Sequence, residues 1–161
     1  MFLPGCPGKP KPRSSETKLA VPDFTLPALD GSTVTLSKLK GKLVVLDFWG
    51  TWCGPCRKSV PELVKLHETF GSKGVTFLGI ALRDSLAAVA AFQKEQNIGY
   101  PLLLGDNKVA RDYAIEGVPT LIVLNRRGEV AYKEVGFDPD SGLVGLERIL
   151  NRLSGGKDAK R

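Results

Sequence analysis

The stretch LVVLDFWGTWCGPC, residues 43–56, decides the fold of this 161-residue chain. Its first half is almost continuously apolar, with Asp47 as the one charge, and such a run is typical of a strand that is covered on both faces of a sheet. Apolar residues then recur at helical spacing over 60–70. The sequence therefore predicts a buried strand, a short loop and a helix that starts at Cys53 and holds Cys56 in its first turn.

The rest of the chain alternates strands and helices around this stretch. A hairpin that turns at Asp30-Gly31 is predicted over 24–36. The other predicted elements are strands at 75–82, 102–104, 120–124 and 129–135 and helices at 86–97, 109–113 and 143–153. Because strands that alternate with helices form a parallel core, and a closing hairpin adds antiparallel strands, the predicted fold class is α/β with a central mixed sheet flanked by helices.

The chain is expected to form one domain with two end segments. Residues 1–20 are rich in Pro, Lys, Ser and Gly, which predicts a disordered leader that acts as a tether. Residues 21–153 are predicted to form the domain, and 154–161 a flexible tail. The net charge of +6 concentrates in the end segments, so no nucleic-acid partner is predicted. No stretch approaches the roughly 20 apolar residues that a membrane-spanning helix needs.

The cysteine pair has the spacing of a redox centre. Cys53 is predicted to lie at a helix N-terminus, where the helix dipole and free N–H groups lower a thiol pKa from its usual value of about 8.5. Cys56 lies one turn further on, close enough to attack a mixed disulfide at Cys53. Gly54 and Pro55 suit a tight helix start, because proline is tolerated in the first turn.

Half of a zinc site and a purely structural disulfide are the other uses of such a pair. Zinc takes four ligands, and the remaining soft donors are Cys6 in the leader and His67. His67 would also lie roughly 16 Å along the helix from Cys56, which is too far for a base that activates Cys53. No metal ligand is therefore predicted, and His67 is expected at the edge of the core.

Residues 44–56 resemble the active-site segment of thioredoxins, since strand, acid, tryptophans and CGPC coincide. Residues 117–120 (GVPT) resemble the cis-proline loop of that family, and 128–136 resemble its closing hairpin. The N-terminal hairpin and an extra helix and strand within 85–104 are similar to the TlpA-like branch, whose members are membrane-tethered extracytoplasmic thioredoxins. The resemblance covers 21–153 and implies a thioredoxin-like fold with an N-terminal β-hairpin and an extra αβ insertion.

The chain departs from the pattern of this branch at two positions, and at a third from that of general thioredoxins. Ser59 stands where many members of the branch carry an acid, and Asp47 is an acid that many of them lack. Gly79 stands where general thioredoxins usually have a lysine near the buried acid. The sequence therefore leaves the electrostatic partner of Asp47 open.

The resemblance implies a role for each site residue. Cys53 attacks, Cys56 resolves, Asp47 exchanges a proton with Cys56, and Pro119 follows a cis peptide bond and shapes the groove. Burial in an apolar strand would raise the pKa of Asp47 and suit it to accept that proton, whereas an acid that faces water would have no such role. By the same resemblance, Trp49 is expected in the core.

The same resemblance implies a shallow apolar groove for an extended substrate segment. Its substrate-binding residues are expected to be Trp52, Gly54, Pro55, Val118 and Gly136, with Trp52 exposed. A segment that pairs with the backbone at Val118 would add as a strand.

The predicted activity is reduction of disulfides in other proteins by the dithiol form of the pair, which a dithiol electron donor would restore. No metal or organic cofactor is implied, and a monomer is expected; cytochrome c maturation is one pathway that the resemblance offers. A peroxiredoxin-type peroxidase is disfavoured, because its pattern places Pro seven and Thr or Ser three residues before the reactive cysteine, where this chain has Leu46 and Gly50. A copper or zinc chaperone would want a histidine near the pair.

The first six residues, MFLPGC, resemble the end of a bacterial lipoprotein signal. This resemblance implies that Cys6 carries a lipid, that an apolar segment is encoded upstream, and that the protein works in the periplasm or cell envelope. Membrane contact is expected only through this anchor. The alternative, a cysteine without special function in a disordered leader of a cytoplasmic protein, stays open.

Overall fold

The structure is a computed structural model that describes residues 21–155. The predicted leader with Cys6, and 156–161 of the predicted tail, lie outside the described residues. The chain first forms a small antiparallel hairpin, β1 (Thr25–Pro27) and β2 (Thr33–Thr35), and then a 3-10 turn at Leu36–Leu39. The hairpin confirms the prediction at 24–36.

A five-stranded sheet and four helices make up the rest of the domain. The strands are β3 (Leu43–Trp49), β4 (Val75–Ala81), β5 (Leu102–Leu104), β6 (Thr120–Leu124) and β7 (Val130–Val135). The helices are α1 (Gly54–Gly71), α2 (Leu86–Glu95), α3 (Asn107–Asp112) and α4 (Val144–Gly155). The sheet order is β5-β4-β3-β6-β7, in which β3 to β5 run parallel while β6 and β7 each run antiparallel to the preceding neighbour in the sheet. The predicted α/β class with a central mixed sheet is confirmed.

Strand β3 is buried along its whole length because both faces of the sheet are covered. Successive side chains of a strand point to opposite faces. Leu43, Val45 and Trp49 join a core cluster with residues of α1, α2 and α4. The alternate residues between them join a second cluster with the N-terminal hairpin and α3. This two-sided burial explains why the strand is almost continuously apolar, and it places Asp47 on the face that α1 covers.

The structure changes three details of the predicted elements. The hairpin turns over 28–32, five residues rather than two, because the Ala28 N–H donates to the Ser32 carbonyl at 2.8 Å and Asp30 Oδ1 accepts from the Ser32 N–H at 2.9 Å. Helix α1 has 18 residues, about five turns, whereas the apolar spacing that ends at Gly71 predicts about four, since the first turn is polar and carries no apolar period. Helix α4 ends at Gly155, two residues beyond the predicted domain boundary.

Candidate active site

The cysteine pair lies where β3 ends and α1 begins. Cys53 immediately precedes α1, and its Sγ accepts a hydrogen bond from the Cys56 N–H at 3.2 Å. Pro55 occupies the first turn, as the sequence predicted. The two cysteines are joined as a disulfide, with 5.2 Å between their Cα atoms. Cys53 keeps 5% of its surface exposed and Cys56 none, so an incoming sulfur can reach Cys53 and not Cys56.

The N-terminus of α1 favours an anion at Cys53. Its free N–H groups and dipole act on the sulfur that precedes the helix, and such a position stabilises a thiolate over a thiol. The N–H of Cys56 already points at this sulfur in the disulfide. When the bond is reduced, the same geometry would favour the thiolate form of Cys53.

The loop before β6 lies directly beside this sulfur. The Val118–Pro119 peptide bond is cis, as predicted, and the Val118 carbonyl oxygen lies 3.6 Å from the Cys53 Sγ. The Gly136 N–H donates to the Pro119 carbonyl at 2.8 Å. Cys53 and Pro119 are therefore brought together from distant parts of the chain.

A groove of about 870 Å³ opens over Cys53. Of the five predicted substrate-binding residues, Trp52, Gly54, Pro55 and Val118 line it. Trp52 is 50% exposed, whereas Trp49 is in the core, as predicted for both. Gly136 is absent from the residues that line the groove; it has a φ of +85°, and its N–H holds the carbonyl of Pro119 in the cis-proline loop. The groove is also more polar than expected, since charged residues of two other loops line it.

One of those loops holds the residues that precede Cys53. Asp84 accepts hydrogen bonds from the Thr51 N–H at 2.6 Å and the Thr51 Oγ at 3.0 Å, and the Trp52 Nε1–H donates to the Leu82 carbonyl at 3.0 Å. The Arg83 guanidinium lies 4.8 Å from the centre of the Trp52 ring. This loop follows β4, the parallel neighbour of β3, and carboxyl ends of parallel strands meet at one edge of a sheet.

The local sequence pattern does not assign Asp84 to the site. The cap of α2 is Ser85, whose Oγ accepts from the Ala88 N–H at 3.1 Å. An acid placed just after a strand that neighbours β3 is the signal that could have assigned Asp84 to the site.

Asp47 is buried on the face of β3 that α1 covers. It is 4% exposed, and its Oδ1 has no hydrogen-bond partner among the described residues. Burial raises the pKa of Asp47 to about 7. The interpretation in which this acid faces water is therefore wrong, and the one in which it is desolvated is right.

Comparison with known proteins gives one consistent answer. A family model described as AhpC/TSA family matches residues 18–133. The chain is 37% identical over 121 residues to the thiol-disulfide oxidoreductase ResA of Bacillus subtilis (strain 168), across 74% of this chain and 68% of ResA. It is 34% identical over 119 residues to the thioredoxin-like protein YneN of the same strain, across 71% of this chain and 69% of YneN.

A solved structure gives the same answer for the fold. The crystal structure of a thiol:disulfide interchange protein, a thioredoxin family protein from Chlorobium tepidum TLS, matches with a TM-score of 0.75 and 32% identity, across 84% of this chain and 96% of that one. The chain belongs to the AhpC/TSA family and, within the thioredoxin superfamily, to the TlpA-like branch. It is a thiol-disulfide oxidoreductase, and its redox group is the Cys53–Cys56 pair.

The two rival functions are not favoured. Leu46 and Gly50 stand where a peroxiredoxin has its proline and its hydroxyl residue, and neither supplies them. Over residues 21–155, no three His, Cys, Asp or Glu side chains are grouped so that they could hold a metal ion. No helix in that range is long and apolar enough to cross a membrane.

Gly79 shows how this oxidoreductase differs from general thioredoxins around the buried acid. It pairs with Asp47 in the register of β3 and β4. A Cβ at this position would lie 2.5 Å from the Leu102 Cδ2 and 3.1 Å from the Trp49 Nε1. The space that a lysine would need is therefore filled, and burial is the cause of the raised pKa of Asp47, without a cation among the described residues to oppose it.

His67 lies away from the cysteine pair, as the sequence predicted. Its ring contacts Phe77 and Tyr100 edge-on, with 5.4 Å between ring centres in each case, at the margin of the core. It is absent from the residues that line the groove over Cys53.

Proposed function

We propose that the protein reduces disulfide bonds of other proteins, with Cys53 as the attacking thiol and Cys56 as the resolving thiol. The observation that carries this proposal is the asymmetry of the pair: the sulfur of Cys53 is reachable from the groove and precedes a helix N-terminus, whereas Cys56 is fully buried behind it. A nucleophile must be accessible, and a resolving thiol only has to reach its neighbour.

The reaction proceeds in two exchange steps. The Cys53 thiolate attacks one sulfur of the substrate disulfide, forms a mixed disulfide with it, and expels the other sulfur as a thiolate that takes up a proton. Cys56 then loses its proton and attacks the Cys53 sulfur, which closes the Cys53–Cys56 disulfide and releases the second substrate thiol. In total, two electrons and two protons pass from the protein to the substrate, and a dithiol donor restores them by the reverse sequence.

Asp47 is proposed as the base that takes the proton of Cys56. Its support is the pKa of Asp47, which burial raises to about 7, so that both protonation states are populated at neutral pH, as proton transfer requires. Asp47 also lies on the face of β3 that α1 covers, and α1 carries Cys56.

The substrate segment is proposed to lie extended in the groove, over Trp52, Gly54 and Pro55, and to pair with the backbone of Val118. The N–H of Val118 makes no backbone hydrogen bond to another residue of the described part, so it is available to an added strand. Pro119 shapes this loop, and the N–H of Gly136 holds it by a hydrogen bond to the Pro119 carbonyl.

Trapping tests the assignment of the two thiols. Cys53→Ser is expected to abolish reduction of a model protein disulfide, because the attacking sulfur is lost. Cys56→Ser is expected to accumulate mixed disulfides with substrate, visible on a non-reducing gel and removed by dithiothreitol. Trapping by Cys53→Ser instead, or full activity in that variant, would reverse or exclude the assignment.

The reduction potential of the pair tests the direction of electron flow. A reductant is expected to have a potential of roughly −200 to −270 mV, and a value near −120 mV would indicate an oxidant.

We also propose that the protein works outside the cytoplasm, attached through a lipid on Cys6. The support is the resemblance of residues 1–6 to a lipoprotein signal and of the domain to the TlpA-like branch. Expression of the native gene, followed by fractionation, is expected to place the protein in membranes and the Cys6→Ala variant in the soluble fraction. A single acyl chain binds membranes only marginally, so stable attachment requires more than one chain. Recovery of both proteins from the cytoplasm would contradict the proposal.

A further inference from the structure

Two charged side chains in the groove are not used by the fold. The lining carboxylates of Asp84 and Asp106 both accept hydrogen bonds from N–H groups of the protein's own backbone. The side chains of Arg83 and Glu116 also line the groove and are exposed. Neither makes a hydrogen bond or an ion pair with another residue in 21–155. They are therefore free to act on whatever enters the groove.

Arg83 is held beside the attacking sulfur in a form that can bind a carboxylate. Its guanidinium stacks on the exposed ring of Trp52, the residue before Cys53. A cation–π contact of this kind uses none of the N–H donors of the guanidinium, so they are free for a bidentate contact with a carboxylate. Arg83 is also the only Lys or Arg among the described residues that line this groove.

The backbone of Arg83 is in an unfavourable conformation. Its φ is +49°, in the left-handed region that glycine and asparagine enter more readily. Arginine is less stable than glycine at a position with this φ, and strained residues of this kind concentrate at functional sites.

Glu116 lies on a different loop of the groove from Arg83. It precedes Val118 by two residues, in the loop whose carbonyl contacts the Cys53 sulfur. The groove therefore presents one free cation on the loop after β4 and one free carboxylate on the cis-proline loop.

We propose that Arg83 and Glu116 select substrates by the order of charges around the attacked cysteine. The preferred segment carries a carboxylate on the side that meets Arg83 and a cation on the side that meets Glu116. In an extended segment, the residues two before and two after the cysteine point to the same side as its sulfur, roughly 6–7 Å away along the strand. Those two positions therefore face the groove. This inference rests on the proposed function and names the class of substrate.

Two capped peptides that differ only in charge order test the proposal. One has Asp two residues before its cysteine and Lys two residues after, and the other has the reverse; each cysteine is joined by a disulfide to 2-mercaptoethanol, which is uncharged. A third peptide has Ala at both positions. The measured quantity is the second-order rate constant for oxidation of the reduced protein, read from the reduced peptide after acid quenching.

The decisive quantity is the ratio of the rate constants for the two charged peptides, with the peptide that the parent prefers in the numerator. A ratio of about 5 to 10 is expected for the parent. The double variant Arg83→Glu with Glu116→Arg should prefer the other peptide and so invert this ratio. Effects of these substitutions on the Cys53 thiolate act on both peptides alike and cancel in the ratio. The double variant leaves the net charge of the protein unchanged. Lys38→Glu, an exposed charge reversal outside the groove, tests whether a distant change of charge moves the ratio, and it should keep the parent ratio.

Each other outcome has a distinct meaning. A ratio near one in the parent, or a ratio that survives the double substitution, would overturn the inference while leaving the proposed function intact. Failure of all three peptides, the Ala peptide included, would instead count against the proposed function. Arg83→Gly separates binding from folding: it is expected to lower the ratio about threefold without lowering the thermal midpoint, because glycine adopts the left-handed backbone freely. A lower midpoint with an unchanged ratio would assign Arg83 a purely structural role.

Discussion

Asp47 and Asp84 lie on strand β3 and on the loop after the neighbouring strand β4, respectively, and they differ in their hydrogen bonds. Asp84 follows β4 and accepts three hydrogen bonds, from the N–H and Oγ of Thr51 and from the N–H of Ser85. Asp47 lies inside β3, enclosed by the core, and its Oδ1 accepts none from a described residue. One carboxylate is committed to holding a loop, and the other is left unbonded.

The contrast shows that two aspartates in different surroundings can have different roles. A carboxylate with several donors fixes the atoms that donate, and Asp84 thereby fixes the segment that ends at Cys53. Asp47 Oδ1 has no such donor among the described residues, and burial raises the pKa of Asp47 to about 7, where it can gain or lose a proton at neutral pH. The two acids should therefore respond in opposite directions when each loses its charge.

The largest expected effect is that of Asp47→Asn on stability. Because the pKa of Asp47 is about 7 in the folded state and near 4 in the unfolded state, the unfolded chain releases this proton first as pH rises. The parent therefore loses stability between pH 4 and 7, by up to about 4 kcal/mol, and the loss stays constant above pH 7. Asparagine does not titrate, so the variant should be the more stable protein above pH 5.

Denaturant midpoints of the oxidised proteins from pH 4 to 9 measure this effect. The gap between Asp47→Asn and the parent should be absent near pH 4, widen to pH 7 and then level off. Asp140→Asn is the matched control, since Asp140 is exposed, and its gap should stay flat. The step in which Cys56 attacks should also slow by roughly 10²-fold, the usual contribution of a positioned base. A flat gap with an unchanged rate would remove Asp47 from the mechanism.

Asp84→Ala should act in the opposite direction. It leaves the N–H and hydroxyl of Thr51 without their acceptor, and loss of such partners costs about 2–3 kcal/mol. The first attack by Cys53 should also slow, because the segment before it is no longer held. Asp84→Asn keeps one acceptor oxygen and should recover about half of the lost stability. If Asp84→Asn stabilised the protein as Asp47→Asn does, the contrast between the two acids would fail.

The sequence predicted the burial of Asp47 but not the contacts of Asp84, for a physical reason. Strand β3, the cysteine pair and the helix that follows are each predicted from a local pattern, because the spacing of their residues is visible within a short stretch of sequence. The bond from Thr51 to Asp84 joins residues 33 apart, across two strands, and local periodicity carries no record of it. For the same reason the sequence did not show that Arg83 lines the groove, and it placed Gly136 among the groove residues. A family motif shows that residues are near one another, but not which of them face the groove.

Gly79→Ala should disturb the packing beside Asp47, because Gly79 is its partner on the neighbouring strand β4. The new Cβ would meet the Leu102 Cδ2 at 2.5 Å, and overpacking of this kind costs about 1–3 kcal/mol. The clash is with a side chain, so a double variant with Leu102→Val should cost less than the sum of the two single changes. Chemical denaturation of the four proteins measures this cycle. Additive costs would mean that Leu102 is not what fills the space opposite Asp47.

The smallest expected effect separates the two bonds that Thr51 makes to Asp84. Thr51→Val keeps the N–H bond of 2.6 Å and removes only the Oγ bond of 3.0 Å, so it should cost about 1 kcal/mol in the free energy of unfolding. Thr51→Ser keeps both donors and should cost less than about 0.5 kcal/mol. In the Asp84→Ala background the hydroxyl has already lost its acceptor, so Thr51→Val should there be close to neutral, and the difference between the two backgrounds is the energy of this one bond. If Thr51→Val costs the same in both backgrounds, the hydroxyl contributes through packing, and the backbone N–H alone ties the Cys53 segment to Asp84.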